Sequence, residues 1–214
     1  MRFLIVLCLL LSGCSLNESS EVNSVIAKVI LVDPGHGGLD NGASYDGVME
    51  DDINLKVGLL LQQILLENNM ICLISRNGDY DLSSLNASNH KAQDLKRRVS
   101  IANDNKVDLF VSLHLNVYLD SSVSGAQVFY QKGNNKSKLF ASVLQDEVNT
   151  LYDKKRKIKE GDFYLLNNSS RDGVLIEMGF LSSFSDRQKL VDENFQLELA
   201  KAIFKSIKSY FLLS

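Results

Sequence analysis

Residues 29–38, VILVDPGHGG, are the most informative segment for the architecture, because a run of apolar residues leads directly into a glycine-rich loop that carries His36. A second stretch, DLFVSLHLN at residues 108–116, places His114 in a similar way near the end of an apolar run. The chain has 3 histidines, so two of them stand where predicted buried strands end. An α/β fold binds and reacts at this edge of its sheet. The two stretches therefore predict an α/β fold with a functional site at the carboxyl ends of its strands.

The remaining sequence alternates short apolar runs with amphipathic helical patterns, which is typical of a sheet covered by helices on both faces. The apolar runs predict strands at residues 29–32, 70–75, 109–113, 126–130, 163–166 and 174–177. The helical patterns predict helices at residues 53–67, 95–105, 139–151 and 195–210. In this order the predicted site residues converge on one edge of the sheet.

Length and composition limit both the architecture and the partners. With 214 residues, of which 45% are hydrophobic, the chain can bury one good core and has little room for a second domain. A formal net charge of -3 gives no general attraction to nucleic acid. No window interleaves basic and aromatic residues as single-strand binders do. We expect a single domain and no nucleic-acid partner.

The scarce histidines and two carboxylates predict a metal site. Glu50 opens an acidic cluster at the start of a long helical pattern, in the segment GVMEDDINL. Two imidazoles and one carboxylate, from His36, His114 and Glu50, are the ligand set of an open catalytic zinc site. Glu177 lies in the apolar run GVLIEMGF, where a buried carboxylate is costly without a task or a partner. A carboxylate beside such a metal is suited to act as a general base.

Each of these side chains also has a simpler interpretation. A histidine near a strand end is often only a hydrogen-bonding group, and Glu50 could serve the dipole of its helix. The neighbouring Asp51 or Asp52 could take the metal in place of Glu50, and Glu177 could be a paired buried carboxylate. His90 follows a polar Asn/Ser stretch and is interpreted as a surface group.

The N-terminal residues 1–16, MRFLIVLCLLLSGCSL, form a separate unit. A positive charge at Arg2, a short apolar stretch and small residues predict an export signal. The segment LSGC resembles a bacterial lipobox, so we expect residues 1–14 to be a lipoprotein-type signal ending at a lipidated Cys14, with an ordinary cleaved signal or an uncleaved stub as the alternatives. Residues 15–27 are polar enough for a tether, and residues 28–214 would be the catalytic domain. Cys72 would then be a buried small hydrophobe, and no disulfide is expected.

Four blocks of sequence resemble the zinc-dependent N-acetylmuramoyl-L-alanine amidases, in family order, across residues 29–211. They are VDPGHGGLDNGA, GVMEDDINL, RRVSIANDNKVDLFVSLHLN and VLIEMGFLSS, at residues 32–43, 47–55, 97–116 and 174–183. The resemblance implies a three-layer α/β/α fold and hydrolysis of the amide between the lactyl group of N-acetylmuramic acid and L-alanine. It also implies a set of site residues: zinc on His36, Glu50 and His114, catalysis by Glu177, and orienting roles for Arg98 and Asn116.

Two further segments, at residues 77–99 and 159–168, resemble the branch of the family that acts on spore cortex, where removal of the stem peptide precedes formation of muramic δ-lactam. The chain departs from the family at Ser183 and Phe184, where Asn-Pro is usual, which affects the shape of that turn but no ligand. A vegetative autolysin of the same chemistry is the main alternative, followed by a zinc exopeptidase and a noncatalytic wall-binding lipoprotein.

Partners and location follow from the same observations. The expected substrate is peptidoglycan, a glycan strand with stem peptides. We expect an exported protein that faces the cell wall and is held on the membrane by Cys14, on the forespore side if it is specific to sporulation. A protein partner that activates or targets the enzyme is also expected. The basic run at residues 154–159 is either a solvated face or a contact for an anionic wall polymer.

Overall fold

The computed structural model describes residues 28–104 and 106–213, so the predicted signal and tether at residues 1–27 lie outside the described residues. A six-stranded sheet has the order β4-β1-β5-β8-β6-β7. The first four strands run parallel, β6 runs antiparallel to β8, and β7 is parallel to β6. The strands are β1 (Val29–Pro34), β4 (Ile71–Ile74), β5 (Leu109–Asn116), β6 (Gln127–Tyr130), β7 (Lys159–Glu160) and β8 (Gly173–Phe180).

Six α-helices and a small hairpin complete the described part of the chain. The hairpin pairs β2 (Ser44–Tyr45) with β3 (Val48–Met49). The helices are α1 (Glu50–Glu67), α2 (His90–Asp104), α3 (Asn135–Val148), α4 (Tyr164–Asn168), α5 (Phe184–Val191) and α6 (Glu193–Leu213), with a 3-10 turn at Asn149–Leu151. None of the helices in these ranges is long and apolar enough to cross a membrane.

The sheet is buried on both faces, which is why its central strands read as continuous apolar runs. On β1, Ile30 and Val32 join a large core with residues of α1, α3 and α6, whereas Leu31 joins a smaller core with residues of α2 and α4. The structure therefore confirms the three-layer α/β/α fold and the mostly parallel sheet.

One predicted strand is wrong. Residues 163–166 do not form a strand, because Tyr164–Asn168 forms the short helix α4. Leu165 and Leu166 pack into the smaller core beside Phe110 and Leu175. A four-residue apolar run cannot distinguish a buried strand from one turn of a buried helix, and packing on the sheet decides in favour of the helix here.

Other differences concern boundaries and short elements. Helix α1 begins at Glu50 instead of residue 53, and β5 and β8 extend further than the apolar runs predict. Helix α5 was not predicted, although Ser183 supplies its N-cap by accepting a hydrogen bond from the Asp186 backbone N–H. The unusual Ser183-Phe184 pair therefore starts a helix.

The register of the central strands places the functional edge. His114 of β5 lies opposite Glu177 of β8, and Glu177 lies opposite Gln127 of β6. Side chains of opposed residues in adjacent strands point to the same face of a sheet. His114, Glu177 and Gln127 therefore form a row across three neighbouring strands.

Candidate metal centre

The ends of three elements bring the predicted ligands together. His36 lies in the loop after β1 and has φ 62°, a left-handed backbone conformation that is uncommon outside glycine. Glu50 is the first residue of α1, and His114 lies near the end of β5. The ligand atoms of these three residues all lie within 4.8 Å of one another. Neither Asp51 nor Asp52 belongs to this group.

One oxygen of Glu50 is the meeting point of the group. Its Oε1 atom lies 3.2 Å from Nε2 of His36 and 3.0 Å from Nδ1 of His114. The two imidazole rings meet edge to face, with their centroids 5.0 Å apart. Two ring nitrogens and a carboxylate oxygen at this spacing match the donor types that zinc prefers, so the residues present fit the ion.

Backbone amides hold the Glu50 carboxylate in place. The N–H of Ala43 donates to Oε2 at 2.7 Å, and the N–H of Leu115 donates to Oε1 at 2.9 Å. Burial acts to raise the pKa of Glu50, but the hydrogen bonds and charges of His114 and His36 outweigh it and hold the pKa well below its usual range. Glu50 is therefore ionised and ready to bind a cation.

The imidazole of His36 is oriented from its other nitrogen. Asp40 Oδ2 lies 3.0 Å from Nδ1 of His36, which leaves Nε2 facing Glu50. Burial lowers the pKa of His36, but the hydrogen bonds and charges of Glu50 and then of Asp40 raise it to about 9. A carboxylate on the second ring nitrogen is the usual way to fix a ligating histidine. Asp40 was not predicted, although it stands in the GGLD segment next to the predicted ligand.

Glu177 lies beside the group and lacks a hydrogen-bonding partner. The residue is 7% exposed, and its Oε2 atom has no hydrogen-bond partner among the described residues. Burial raises the pKa of Glu177 to about 7, and although His114 opposes this shift, Glu50 adds to it. A buried acid with a free oxygen, next to two imidazoles and a second carboxylate, is typical of a functional site.

Two buried arginines support the loop that carries His36. Arg98 donates from Nη2 to the His36 carbonyl at 2.8 Å and from Nη1 to Asp33 Oδ1 at 2.6 Å. Arg76 donates from Nη2 to the carbonyls of Gly35 at 2.9 Å and Asp51 at 2.7 Å. Arg76 therefore joins the loop that carries His36 to the first turn of α1. Arg98 was predicted as an orienting residue, whereas Arg76 was missed.

Gly35 is required by the close approach of this loop to His114. A Cβ atom at Gly35 would lie 2.2 Å from Cε1 of His114, closer than any real contact. Its N–H donates to the Leu113 carbonyl at 2.9 Å, so the loop cannot simply move away. The absence of a Cβ atom at Gly35 thus allows the loop that carries His36 to lie against the end of β5.

The remaining predicted residues lie outside the group of three. Asn116 ends β5, where its carbonyl accepts a hydrogen bond from Leu181 N–H at 2.8 Å, and its side chain lines a neighbouring cleft. His90 begins α2, with Nδ1 3.7 Å from Asp81 Oδ2. Cys72 is a free thiol of intermediate burial, and burial raises its pKa to about 12, as befits an unreactive side chain.

Two imidazoles and a carboxylate lie beside a buried acid at the carboxyl edge of an α/β sheet, an arrangement typical of hydrolases. Within that class the chain belongs to the N-acetylmuramoyl-L-alanine amidase family, whose model matches residues 30–209. The predicted family is therefore confirmed, and the chain is a hydrolase with this amidase activity.

Two curated relatives from Bacillus subtilis show the range of the family. A germination-specific N-acetylmuramoyl-L-alanine amidase is 35% identical, and the match covers 98% of this chain and 91% of the relative. The amidase LytC is 29% identical, but the match covers 88% of this chain and only 36% of that protein.

Solved structures agree with the fold. The CwlD amidase from Clostridioides difficile, solved in complex with the GerS lipoprotein, is 33% identical and superposes with a TM-score of 0.84, covering 87% of this chain and 100% of that one. An N-acetylmuramoyl-L-alanine amidase from Clostridium difficile 630 is 31% identical, with a TM-score of 0.76 over 86% of this chain and 96% of that one.

Proposed function

We propose that this amidase is zinc-dependent, with the ion held by His36, Glu50 and His114 and with Glu177 as the general acid and base. One observation carries the proposal: three ligand atoms within 4.8 Å of one another lie beside a buried carboxyl whose Oε2 has no partner. When bound there, zinc supplies a Lewis acid that polarises a carbonyl and lowers the pKa of water to about 7.

The chemistry assigned to Glu177 is two proton transfers. As water adds to the lactyl carbonyl carbon, Glu177 takes the proton that the water loses. When the bond between that carbon and the alanine nitrogen breaks, the same carboxyl gives the proton to the departing amine, so that the products are a lactyl acid and a free peptide. A pKa of about 7 suits a group that must accept and then donate at neutral pH.

The other residues keep the reacting groups in position. Asp40 fixes the tautomer of His36, and Arg98 and Arg76 hold the backbone of its loop. The amides of Ala43 and Leu115 fix the carboxylate of Glu50. None of these contacts requires rearrangement during the reaction, which is how preorganised polar groups contribute to catalysis.

Digestion of purified peptidoglycan tests the proposal directly. The metal-stripped protein should release no stem peptide, added zinc should restore release, and muropeptide analysis should show cleavage at the lactyl amide. His36→Ala and His114→Ala should lose both the metal and the activity. Because zinc binds neutral imidazole, the apparent affinity should increase as the pH rises towards the His36 pKa of about 9. Full activity of a metal-free preparation would contradict the assignment.

We further propose that the enzyme acts on spore cortex, where it strips stem peptides before muramic δ-lactam is formed. Support comes from the germination-specific relative, because that match extends over nearly the whole of both proteins. The vegetative alternative has weaker support, since the match covers only 36% of LytC. Deletion of the gene should abolish δ-lactam in spore muropeptides and leave vegetative wall turnover unchanged; the reverse pattern would favour an autolysin.

The proposed location is the wall-facing side of the membrane, with residues 1–14 as a lipoprotein signal, Cys14 as the anchor and residues 15–27 as a tether to the catalytic domain. A protein partner is part of this proposal, because the similar CwlD amidase was solved in complex with the GerS lipoprotein. Sedimentation of this protein mixed with the GerS-like lipoprotein of its own organism tests the partner. Independent sedimentation at micromolar concentration would count against it.

A further inference from the structure

The sheet face that carries Glu177 continues sideways towards β7. Gln127 of β6 lies opposite Glu177, and two residues further along β6, Phe129 lies opposite Lys159 of β7. Because these residues share one face of the sheet, a molecule bound at Glu177 can extend over β6 towards Lys159. The edge of the catalytic site therefore opens onto the surface of β6 and β7.

A cleft of about 370 Å³ occupies this surface, and its charge is entirely positive. No carboxylate is among its lining residues, which are Asn116, Tyr118, Val123, Gln127, Phe129, Arg156, Lys159 and Phe180. Two cations thus face a wall of amides and aromatic rings.

The two cations are available for a ligand. The guanidinium of Arg156 lies over the ring of Phe180, 4.6 Å from its centroid, and its Nε donates to the Ser124 carbonyl at 2.8 Å. These two contacts fix the side chain and leave its two terminal nitrogens without a protein acceptor in the described ranges. Lys159 is exposed and forms no ion pair with any described residue.

The nearby acids do not neutralise this cleft. Asp186 does not line the cleft and forms no ion pair with Arg156, although its charge favours the cationic form of Arg156. Its Oδ2 accepts hydrogen bonds from Gly125 N–H at 2.8 Å and Phe180 N–H at 3.0 Å. Glu160 follows Lys159 in β7, so its side chain points to the opposite face of the strand. The positive charge of Arg156 and Lys159 is therefore presented to the solvent of the cleft.

The other side of the metal centre has the opposite character. A cavity of about 240 Å³ lies there between His36 and α4, and four aspartates line it together with the cations Lys91 and Arg98: Asp33, Asp40, Asp94 and Asp162. Arg98 is already paired with Asp33 at 2.6 Å and with Asp94 at 2.7 Å. The catalytic edge is thus flanked by a cationic cleft on the β7 side and by an acidic cavity on the α4 side.

We infer that the cleft at Arg156 and Lys159 binds a free carboxylate of the stem peptide, so that the peptide lies over β6 and β7 and the glycan lies on the α4 side of the metal centre. This inference rests on the proposed function. The stem peptide carries free carboxylates, whereas the amidated glycan strand is uncharged at the lactyl group. Charge complementarity therefore orients the substrate with its peptide in the cleft that two cations and no carboxylate line.

Binding of the released peptide tests this orientation without any turnover. A fluorescently labelled stem peptide that begins with L-alanine is titrated with the zinc-loaded full chain, and the anisotropy gives its Kd. Lys159→Gln should weaken binding by roughly 1.5- to 5-fold, the range for one exposed charge pair. The matched control is Lys154→Gln, which removes a charge from the same basic run but does not line the cleft. A peptide whose carboxylates have been converted to carboxamides should bind wild type and Lys159→Gln equally.

Steady-state hydrolysis should agree, with KM raised by a similar factor in Lys159→Gln and kcat unchanged, because the metal centre is untouched. Equal losses in Lys159→Gln and Lys154→Gln, a loss that persists with the carboxamide peptide, or no binding of the peptide by wild type would each overturn the subsite. These outcomes are distinct from failure of the proposed function, which would appear as absence of peptide release from peptidoglycan by the wild-type enzyme.

Discussion

Glu177 differs from Glu50, the other acid of the site, because its buried Oε2 atom has no hydrogen-bond partner among the described residues. Glu50 is held by two backbone amides and two imidazoles, and its pKa falls well below its usual range despite its burial. Glu177 is buried as deeply but has a free Oε2, and burial raises its pKa to about 7. In the proposed mechanism, this separation of pKa values assigns metal binding to Glu50 and proton transfer to Glu177.

The first prediction concerns the removal of this charge. Glu177→Gln should keep the fold and one bound zinc but lose turnover by at least about 100-fold, because a positioned general base contributes on that scale. Elemental analysis of the purified variant and release of peptide from peptidoglycan are the measurements. A variant that loses its zinc stoichiometrically would make Glu177 a ligand and contradict the role assigned to it.

The raised pKa of Glu177 also predicts a dependence of stability on pH in the metal-free protein. The folded protein binds the Glu177 proton more tightly than the unfolded chain does, since the pKa rises from its ordinary value of 4.5 to about 7. The cost of ionising this buried carboxyl is therefore absent at low pH, grows between these two values, and is complete above the upper one. Its upper bound is about 3 kcal/mol.

The amide in Glu177→Gln cannot ionise, so this variant does not lose stability through ionisation of a buried carboxyl. With a chelator present, its free energy of unfolding should exceed that of wild type at pH above about 8, and the difference should vanish as the pH falls to about 4. Urea unfolding of both proteins across this range is the measurement. A difference that is independent of pH would show that the amide changes packing and not protonation.

At the level of secondary-structure elements, the site depends on the loop between β1 and the hairpin. A buried arginine holds this loop in place. Arg76 is 1% exposed and donates to four carbonyl oxygens, those of Pro34, Gly35, Asp51 and Gly78. A single side chain therefore connects the end of β1 to the first turn of α1. The positions of His36 and Glu50 relative to each other depend on this connection.

Arg76→Met should loosen that connection and leave buried carbonyls without donors. We expect a loss of at least about 1–3 kcal/mol in the free energy of unfolding, the cost of leaving a buried acceptor without its donor. We also expect zinc affinity to fall by about 10- to 100-fold, the effect seen when the residues behind metal ligands are replaced. Chelator competition and urea unfolding measure the two effects.

Arg97→Met is the matched control for this variant, because Arg97 is exposed on α2 and forms no hydrogen bond or ion pair with a described residue. Its effect should stay within about 0.5 kcal/mol. Unchanged zinc affinity in Arg76→Met, even with lowered stability, would mean that the loop that carries His36 is held by its other contacts.

The sequence predicted which three side chains converge, because they stand where apolar periodicity stops. The apolar pattern predicts two strands and a helix, and these three residues lie at their ends: His36 after β1, Glu50 at the start of α1 and His114 near the end of β5. Their convergence then follows from the topology of the sheet. Arg76 and Asp40 were missed because hydrogen bonds to backbone carbonyls and to a second ring nitrogen leave no periodic pattern. The helix at Tyr164–Asn168 was mistaken for a strand because its two buried leucines fit either element.

At the scale of the whole molecule, the catalytic edge of the sheet must meet an insoluble polymer. The proposed clefts on its two sides give the substrate one orientation, but they do not hold the enzyme near the wall. In this proposal the N-terminal segment has that task, since it precedes β1 in the sequence. Residues 15–27, fully extended, could reach at most about 45 Å, so an anchor at Cys14 would keep the domain close to the membrane surface.

Cys14→Ala should therefore release the protein from the membrane fraction and leave the specific activity of the purified catalytic domain unchanged, because every residue assigned to the site lies within residues 33–177. A single acyl chain binds a membrane only weakly, so stable residence requires the two or three chains that a bacterial lipoprotein carries. Fractionation of the cells together with mass spectrometry of the mature N-terminus is the measurement. A wild-type protein that stays on the membrane with an unmodified terminus elsewhere than Cys14 would exclude the lipid anchor and leave a protein partner to hold the enzyme at the wall.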